Sequence, residues 1–434
     1  MTITDKGTFL PALTVFRSQY MVLAFILLIG FSVLSPSFLD NSGTGEGNLG
    51  RQLGYTLILL LTVFCIKPKP NLLALDVVPN NVLLVIALCW LSLIWSINPD
   101  IAARRLIFLT IVTWNVFISV RQLGVARTVE ALRYILLFVM LLNYAAVALW
   151  PSLGIHQLDE LGDTGLAGDW KGVLLEKNMA GAVCVILLIV LVFGNIQRSA
   201  RLNFLLIPLT VFFLWKTGSK TGMGTAVAAL AGGAIFTSYR PPYRLEFILG
   251  FVVCSVAFAA VGYIYWDVIS APLYREDTLT GRSQIWLALI SFVKDNWLLG
   301  SGFGSFWSIG PESPINIYAQ NQSWVGTVDS AHNGFLELAL QLGVPGSIVV
   351  VVALWLVPFS RLLADWNMSA ERRAFIAASL IFCLGQNFTE ATMLNRNSIT
   401  HVFWMIAIAL CSSALATRGD VADKPGVTPD RRFL

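Results

Sequence analysis

The sequence predicts an all-α integral membrane protein of about twelve transmembrane helices with one large helical outer loop. Three observations predict it. Of 434 residues, 56% are hydrophobic and only 12% charged, where soluble chains carry roughly 25% charged. The apolar residues gather in a succession of runs near bilayer length. One polar interval, 266–332, breaks that succession, and tryptophans and phenylalanines recur through it, as in a folded domain and not a plain connection.

Residues 1–19 read as a cytoplasmic N-terminus. Polar residues precede the first run, 20–34, and Ser35-Pro36-Ser37-Phe38 follow it without a small-residue cleavage site, so the run is expected to be a retained anchor and not a removed signal. Further runs lie at 55–66, 82–96, 106–120, 131–150, 179–194, 202–215, 221–236 and 247–266. The first nine spans thus occupy 20–266. After the outer loop, 267–332, three more runs at 342–358, 375–386 and 399–415 complete the spans within 333–415. Residues 416–434 form a charged tail. Since a crossing needs roughly 20 residues, the shorter runs must borrow their flanks.

Lys67, Lys69, Arg121, Arg127, Arg198, Arg201, Arg240, Arg244, Arg361, Arg372 and Arg373 fall in alternate loops. The positive-inside rule then puts both termini in the cytoplasm and the long interval on the periplasmic face of an inner membrane. The opposite loops carry Asp159, Glu160, Asp163 and Asp169. The net charge of +4 accordingly reports topology and not nucleic-acid binding. Cys65, Cys89, Cys184, Cys254, Cys383 and Cys411 lie in or beside apolar runs without metal-ligand spacing, and read as packing residues. No acidic cluster suggests a metal, and no cofactor motif is found.

The outer interval holds the chemistry. From Arg282, Ile285, Trp286, Leu289, Phe292, Val293 and Trp297 recur at helical spacing, which predicts an amphipathic helix lying on the outer surface. Arg282 in its first turn offers a planar guanidinium suited to phosphate, or a side chain that snorkels to lipid headgroups. Asp329 and Ser330 can each cap a helix through Phe335 and Leu336, which would set His332 in a first turn with Asp329 to orient it. His332 is then a candidate base for a sugar hydroxyl, or a histidine that bonds a loop carbonyl. Lys220, in Ser219-Lys220-Thr221-Gly222, opens another helix and can hold a phosphate or serve as a polar cap.

Gly300-Ser301-Gly302-Phe303-Gly304 lacks the Gly-Lys-Ser/Thr ending of a phosphate loop and reads as a turn closing the amphipathic helix. Outer aromatics such as Trp286, Trp297, Phe303, Phe306, Trp307 and Tyr318 suit sugar stacking or the headgroup belt. Gly222, Gly224, Gly232 and Gly233 suit close helix packing, and His401 reads as a satisfied core residue.

Together, Ser219-Lys220-Thr221-Gly222, Thr280-Gly281-Arg282 with Trp286, Leu299-Gly300-Ser301-Gly302-Phe303-Gly304, and His332-Asn333-Gly334-Phe335-Leu336-Glu337 with Leu342-Gly343-Val344-Pro345-Gly346 resemble the O-antigen ligase and polymerase family. Glu176-Lys177-Asn178-Met179-Ala180-Gly181 is similar to that family's His-Lys-Asn motif, with Glu176 where His is common. Gln341 stands where Glu is frequent. The Ser-Lys-Thr form is more similar to exopolysaccharide polymerases than to lipopolysaccharide ligases.

The resemblance implies a C-type glycosyltransferase-like fold and a metal-independent enzyme. Its donor would be a glycan on undecaprenyl diphosphate, its acceptor a second glycan, and its surroundings the bilayer. Export or chain-length proteins would be further partners. Arg282 and Lys220 would bind the diphosphate and His332 would assist the acceptor hydroxyl, with support from Asp329, Lys177, Asn178 and Trp286. A polymerase of exopolysaccharide or O-antigen leads, with ligation to lipid A-core as the alternative. A transporter or flippase would take Glu390, Gln386 and Asn387 as its best case, and a non-catalytic export scaffold would need none of these residues.

Overall fold

The computed structural model describes residues 9–34, 49–66, 77–157, 166–194, 200–264, 282–319, 325–396 and 398–422. Thr280, Gly281, Asp159, Glu160, Asp163, Trp266, Tyr274 and Trp324 lie outside them. Helices carry nearly all the rest, and the described residues pair as strand only at an isolated bridge between Ile155 and Trp170. The longer helices are α1 (Phe9–Leu34), α2 (Leu49–Cys65), α3 (Asn80–Leu91), α4 (Pro99–Leu149), α5 (Lys177–Phe193), α6 (Ala200–Lys216), α7 (Lys220–Ser238) and α8 (Arg244–Ile264). They continue with α9 (Arg282–Asp295), α10 (Gly334–Val351), α11 (Val357–Ala364), α12 (Ala370–Gln386) and α13 (Ile399–Ala422).

Three continuous helical segments, Pro99–Leu149, Lys220–Ser238 and Gly334–Ala364, are long and apolar enough to cross a membrane. Shorter apolar helices surround them. At the centre, α5 is buried at every residue from Ala180 to Leu191, and α13 at every residue from Thr400 to Cys411. Helices apolar all round belong in the middle of such a bundle. Outward the pattern inverts: Phe204 is 86% exposed, Ile94 80% and Phe64 72%, a surface whose natural solvent is hydrocarbon.

The runs expected at 106–120 and 131–150 belong to one long element, α4. The connection between them shrinks to Gly124, with φ 72° and ψ 175°, a conformation reached essentially by glycine alone. Small residues bring α7 and α12 together. A Cβ on Gly233 would meet Phe193 and Ala378, and one on Gly232 would meet Ile381. Gly222 likewise packs against Gly181, whereas Gly224 faces open space, so the close-packing expectation holds for three of the four. Five cysteines, Cys65, Cys89, Cys184, Cys383 and Cys411, are buried thiols outside any disulfide.

The interval after α8 folds on a small core of its own. Ile285, Leu289 and Phe292 of α9 are buried against Phe306, Trp307, Ile315, Val325, Ala331 and Leu340. The residues of α9 that its spacing marks as apolar, Ile285, Leu289 and Phe292, are therefore spent on this small core. Trp297 falls beyond the helix end and is 56% exposed. Phe303, Phe306 and Trp307 are buried, so they are packing residues here and not free to stack on sugars.

The Gly-rich turn after α9 does more than end the helix, because it locks three elements. Ser301 N–H donates to Leu340 O at 2.8 Å and Val344 N–H to Trp297 O at 2.7 Å. Phe303 N–H donates to Ser92 Oγ at 3.0 Å and Gly304 N–H to Gln341 Oε1 at 2.8 Å. Gly300 sits with its Cβ position 2.6 Å from Leu340 O, and Gly302 with its own 2.6 Å from Ser96 Cα. On the facing side, Gly343 interrupts α10 with φ 68° and ψ 176°, and a Cβ there would overlap Leu298 O.

Gly343→Ala is therefore expected to destabilise the protein by about 2 kcal/mol or more, measured as thermal unfolding of the detergent-solubilised chain. Gly224→Ala, in open space within a helix, should leave the transition unchanged or raise it slightly. Equal transitions for the two variants would exclude the lock.

Candidate functional site

Four sequence segments meet at one end of the bundle, and the residue that joins them is Glu390, in the connection between α12 and α13. Its Oε1 lies 3.1 Å from Arg282 Nη2 and accepts a hydrogen bond from Asn178 Nδ2 at 2.8 Å. Its Oε2 lies 3.4 Å from His332 Nδ1. The side chains of Arg282 and Glu390 are 18% and 14% exposed and that of His332 is 31% exposed. The cluster is thus sheltered on one side and open on the other.

Each partner is held by its own helix end. Arg282 is the first residue of α9, and its Nη1 also donates to Thr389 O at 2.6 Å. Asn178 stands in the first turn of α5, where its Oδ1 accepts from Ser219 Oγ at 3.0 Å. Ser219 caps α7 by accepting from Gly222 N–H, and Thr221 Oγ1 lies 2.6 Å from Thr389 Oγ1. Gly181 and Gly222 permit this approach, since a Cβ on either would press on Ser219.

His332 is not in a helical turn. Asn333 is the N-cap, its Oδ1 accepting from Phe335 N–H and Leu336 N–H, so neither Asp329 nor Ser330 caps α10. His332 precedes the cap with φ 46°, a left-handed conformation uncommon outside glycine. The reason is the docking on both sides of it. Gly334 N–H donates to Asn387 O at 2.8 Å and Asn333 Nδ2 to Phe388 O at 3.1 Å. Behind, Trp286 Nε1 donates to Ala331 O at 2.9 Å.

Glu337 completes the support from below. It is buried and accepts from Ala331 N–H, Gln341 Nε2 and Trp307 Nε1. Asp329 is exposed, and the carboxylate that faces His332 is Glu390. The expected pairing of His332 with Asp329 is replaced by a contact with Glu390.

Lys177 turns away to pair with Asp169 at 2.7 Å, which ties the loop before α5 and not the cluster. Lys220, at the first position of α7, is exposed and makes no hydrogen bond or ion pair among the described residues. Its neighbour Thr221 touches the Thr389-Glu390 segment, so Lys220 borders the open side. At Glu176, desolvation by the surrounding chain, then repulsion from Glu390, push the carboxyl above the usual carboxylate range, against the pull of His332 and Arg282. Among the described residues no group of three His, Cys, Asp or Glu side chains could hold a metal. His401 is buried as expected, but both its ring nitrogens are without a hydrogen-bond partner.

In the sequence Glu390 is part of the best case for a transporter; it stands in no motif and 58 residues beyond His332. Its signal was its isolation: a lone acid between two apolar runs needs a cation, and Arg282 was in want of an anion. Asn387 is accounted for locally, while the buried Gln386 side chain keeps its Oε1 without a hydrogen-bond partner. Asn387 accepts from Thr392 N–H and Met393 N–H, and the Gln386 backbone carbonyl receives Glu390 N–H.

An arginine, a histidine and a shared carboxylate at one end of an apolar helical bundle can hold an anion beside a proton acceptor. Residues 182–351, less than half of the chain, match the family model described as O-Antigen ligase. The chain is also similar to the exopolysaccharide production protein ExoQ of Rhizobium meliloti (strain 1021), 28% identical over 184 residues. That match takes in 40% of this chain and 42% of the relative. The matched family region contains Lys220, Arg282 and His332, while Asn178 and Glu390 are brought to them from outside it.

A Cβ on Gly334 would collide with Asn387 Oδ1. Gly334→Ala is expected to push the His332 segment off the α12–α13 connection and cost about 1–3 kcal/mol. Faster amide hydrogen exchange confined to 331–334 and 387–390 is the readout. Unchanged exchange there would show that the two segments are not mutually held.

Proposed function

We propose that this chain is a membrane glycosyltransferase that polymerises oligosaccharide repeats carried on a polyprenyl diphosphate, with its site on the periplasmic face of an inner membrane. Its helices would form about twelve spans in a C-type-like arrangement. One observation carries the reading: Glu390 holds Arg282 and His332 on opposite oxygens of one carboxylate. An anion-binding group and a proton acceptor are thereby fixed side by side, as transfer from a diphosphate donor to a hydroxyl requires.

In the reaction the acceptor hydroxyl oxygen attacks the anomeric carbon of the donor glycan. The bond from that carbon to the diphosphate oxygen breaks, and the carrier leaves with the electron pair. With Nδ1–H directed at Glu390, His332 presents Nε2 to the hydroxyl and takes its proton. The residual guanidinium donors of Arg282 and the free ammonium of Lys220 stabilise the departing diphosphate. Charge supplied by these two side chains takes the part a divalent ion plays elsewhere, so the scheme needs no metal.

Lys220 binds as a point charge and Arg282 as a planar fork. The Ser-Lys-Thr form of the first motif and the similarity to an exopolysaccharide production protein support polymerase over ligase.

Arg282→Ala and His332→Ala are each expected to lower polymer output by a factor of about 100 or more, with protein level in the membrane unchanged. Carrier-linked single repeats should accumulate. Accumulation of full-length carrier-linked chains instead would mark a ligase, and full-length polymer from both variants would remove the catalytic assignment. Lys220→Arg should retain more activity than Lys220→Ala. Equal output from those two would take Lys220 out of the site.

A further inference from the structure

None of the residues lining one groove of the bundle takes part in the proposed chemistry. The groove opens between α1 and α4, has a volume of about 640 Å³ and is lined by residues of those two helices. Its walls repeat by the helical turn: Ser18, Val22 and Ile26 stand four apart on α1, and Arg127, Ala131 and Tyr134 stand four and three apart on α4. Such spacing keeps each set on one face, so the groove runs along the helix axes.

The two ends of the groove differ in chemistry. Ser18, Gln19, Arg127 and Glu130 gather at one end, and Val22, Ile26 and Ala131 line the stretch beyond it. From Ser18 to Ile26 a helix rises about 12 Å, which is most of the roughly 15 Å of hydrocarbon in one leaflet. Further on the seam closes, since a Cβ on Gly30 of α1 would stand 3.7 Å from Ile135 of α4.

The polar end carries one charge of each sign. Arg127 and Glu130 are exposed on the same helix, and a spacing of three sets their Cβ atoms about 5–6 Å apart, yet no ion pair joins them. Arg127 Nη1 donates to Ser18 Oγ, and a guanidinium has more donors than that contact uses. Tyr134 Oη donates to Glu130 Oε1 at 3.4 Å, which keeps the carboxylate at the mouth. Tyr20 and Tyr134 are 45% and 59% exposed, as suits aromatic side chains at headgroup level.

We infer that the groove is a site for one phospholipid with a zwitterionic, primary-ammonium headgroup, that of phosphatidylethanolamine. The phosphate takes the guanidinium of Arg127, the ammonium takes the carboxylate of Glu130, and one acyl chain lies along Val22 and Ile26. Lipid tails meet every outer face of such a bundle, so what the geometry adds is a choice of headgroup. A choline headgroup has no N–H to give the carboxylate, and a glycerol headgroup brings no cation to it. The positive-inside reading places this end in the cytoplasmic leaflet. The inference rests on the membrane setting and is independent of the transferase reading.

The experiment uses the purified full chain in detergent with equal amounts of phosphatidylethanolamine, phosphatidylcholine and phosphatidylglycerol of identical acyl chains, and native mass spectrometry reads the bound lipid. The wild-type chain should retain a single phosphatidylethanolamine, favoured about tenfold over either competitor, the scale of one charge-assisted contact. Arg127→Gln should lower that adduct about tenfold, and Arg127→Lys should recover part of the loss. Glu130→Gln should bring phosphatidylethanolamine and phosphatidylcholine to within about twofold of each other.

These changes fall on exposed side chains, so the thermal unfolding transition should stay where it is; should a variant lose it, the wild-type comparison of the three lipids still decides. Arg201→Gln, at an exposed position of α6 outside the groove, should leave the adduct unchanged. A loss there equal to that of Arg127→Gln, or similar retention of all three lipids by the wild-type chain, would mean an unselective lipid shell and overturn the site. Preference for phosphatidylglycerol would overturn it as well, because the cation alone would then read the lipid. A dimer that retains no lipid would give the groove to a second copy of the chain and sink the inference.

Discussion

A single carboxylate with two oxygens and three partners governs this end of the molecule. Glu390 stands between two apolar helices, where an unpaired charge is costly, and removing one member of such a sheltered pair costs about 3 kcal/mol. The fold meets that constraint by bringing Arg282 and Asn178 to one oxygen and His332 to the other. The positions of α5, α7, α9 and α10 at this end all follow from it. Ser219 reaches the cluster through Asn178, and Thr221 through Thr389. The histidine accepts a left-handed backbone to stay in register.

Much of the fold was legible because hydropathy reports burial in lipid directly. Each apolar run lies within or largely within a helix of the structure, and the amphipathic segment from Arg282 is a helix whose buried residues, Ile285, Leu289 and Phe292, are the ones its spacing names. What the spacing could not reveal was the destination of that face. Periodicity gives the side of a helix that is buried, and a lipid surface and a small protein core look the same to it. Phe306 and Trp307 decide the matter, by helping to form the core that α9 covers.

The site was half legible for a similar reason. Arg282, His332 and Asn178 stand in recognisable local patterns and do come together, whereas Lys177 and Asp329, drawn from the same patterns, do not join them. Glu390 has no pattern around it. Its role exists only through contacts more than 50 residues long in sequence, which no local spacing encodes. The helix start at Asn333 was missed on a finer point: Asp329, Ser330 and Asn333 are all good caps, and docking of Gly334 on Asn387 selects the last.

The late place of Glu390 in the chain has a consequence for biosynthesis. A polypeptide made from its N-terminus brings Asn178, Ser219, Arg282 and His332 out of the ribosome well before the residue that organises them. Until the segment beyond α12 has emerged, the arginine has no counter-ion from the site and the histidine no carboxylate. The cluster is thus completed with the last part of the bundle, and a chain halted before residue 390 carries all the residues that match the family model and still lacks the group that binds Arg282, Asn178 and His332 together.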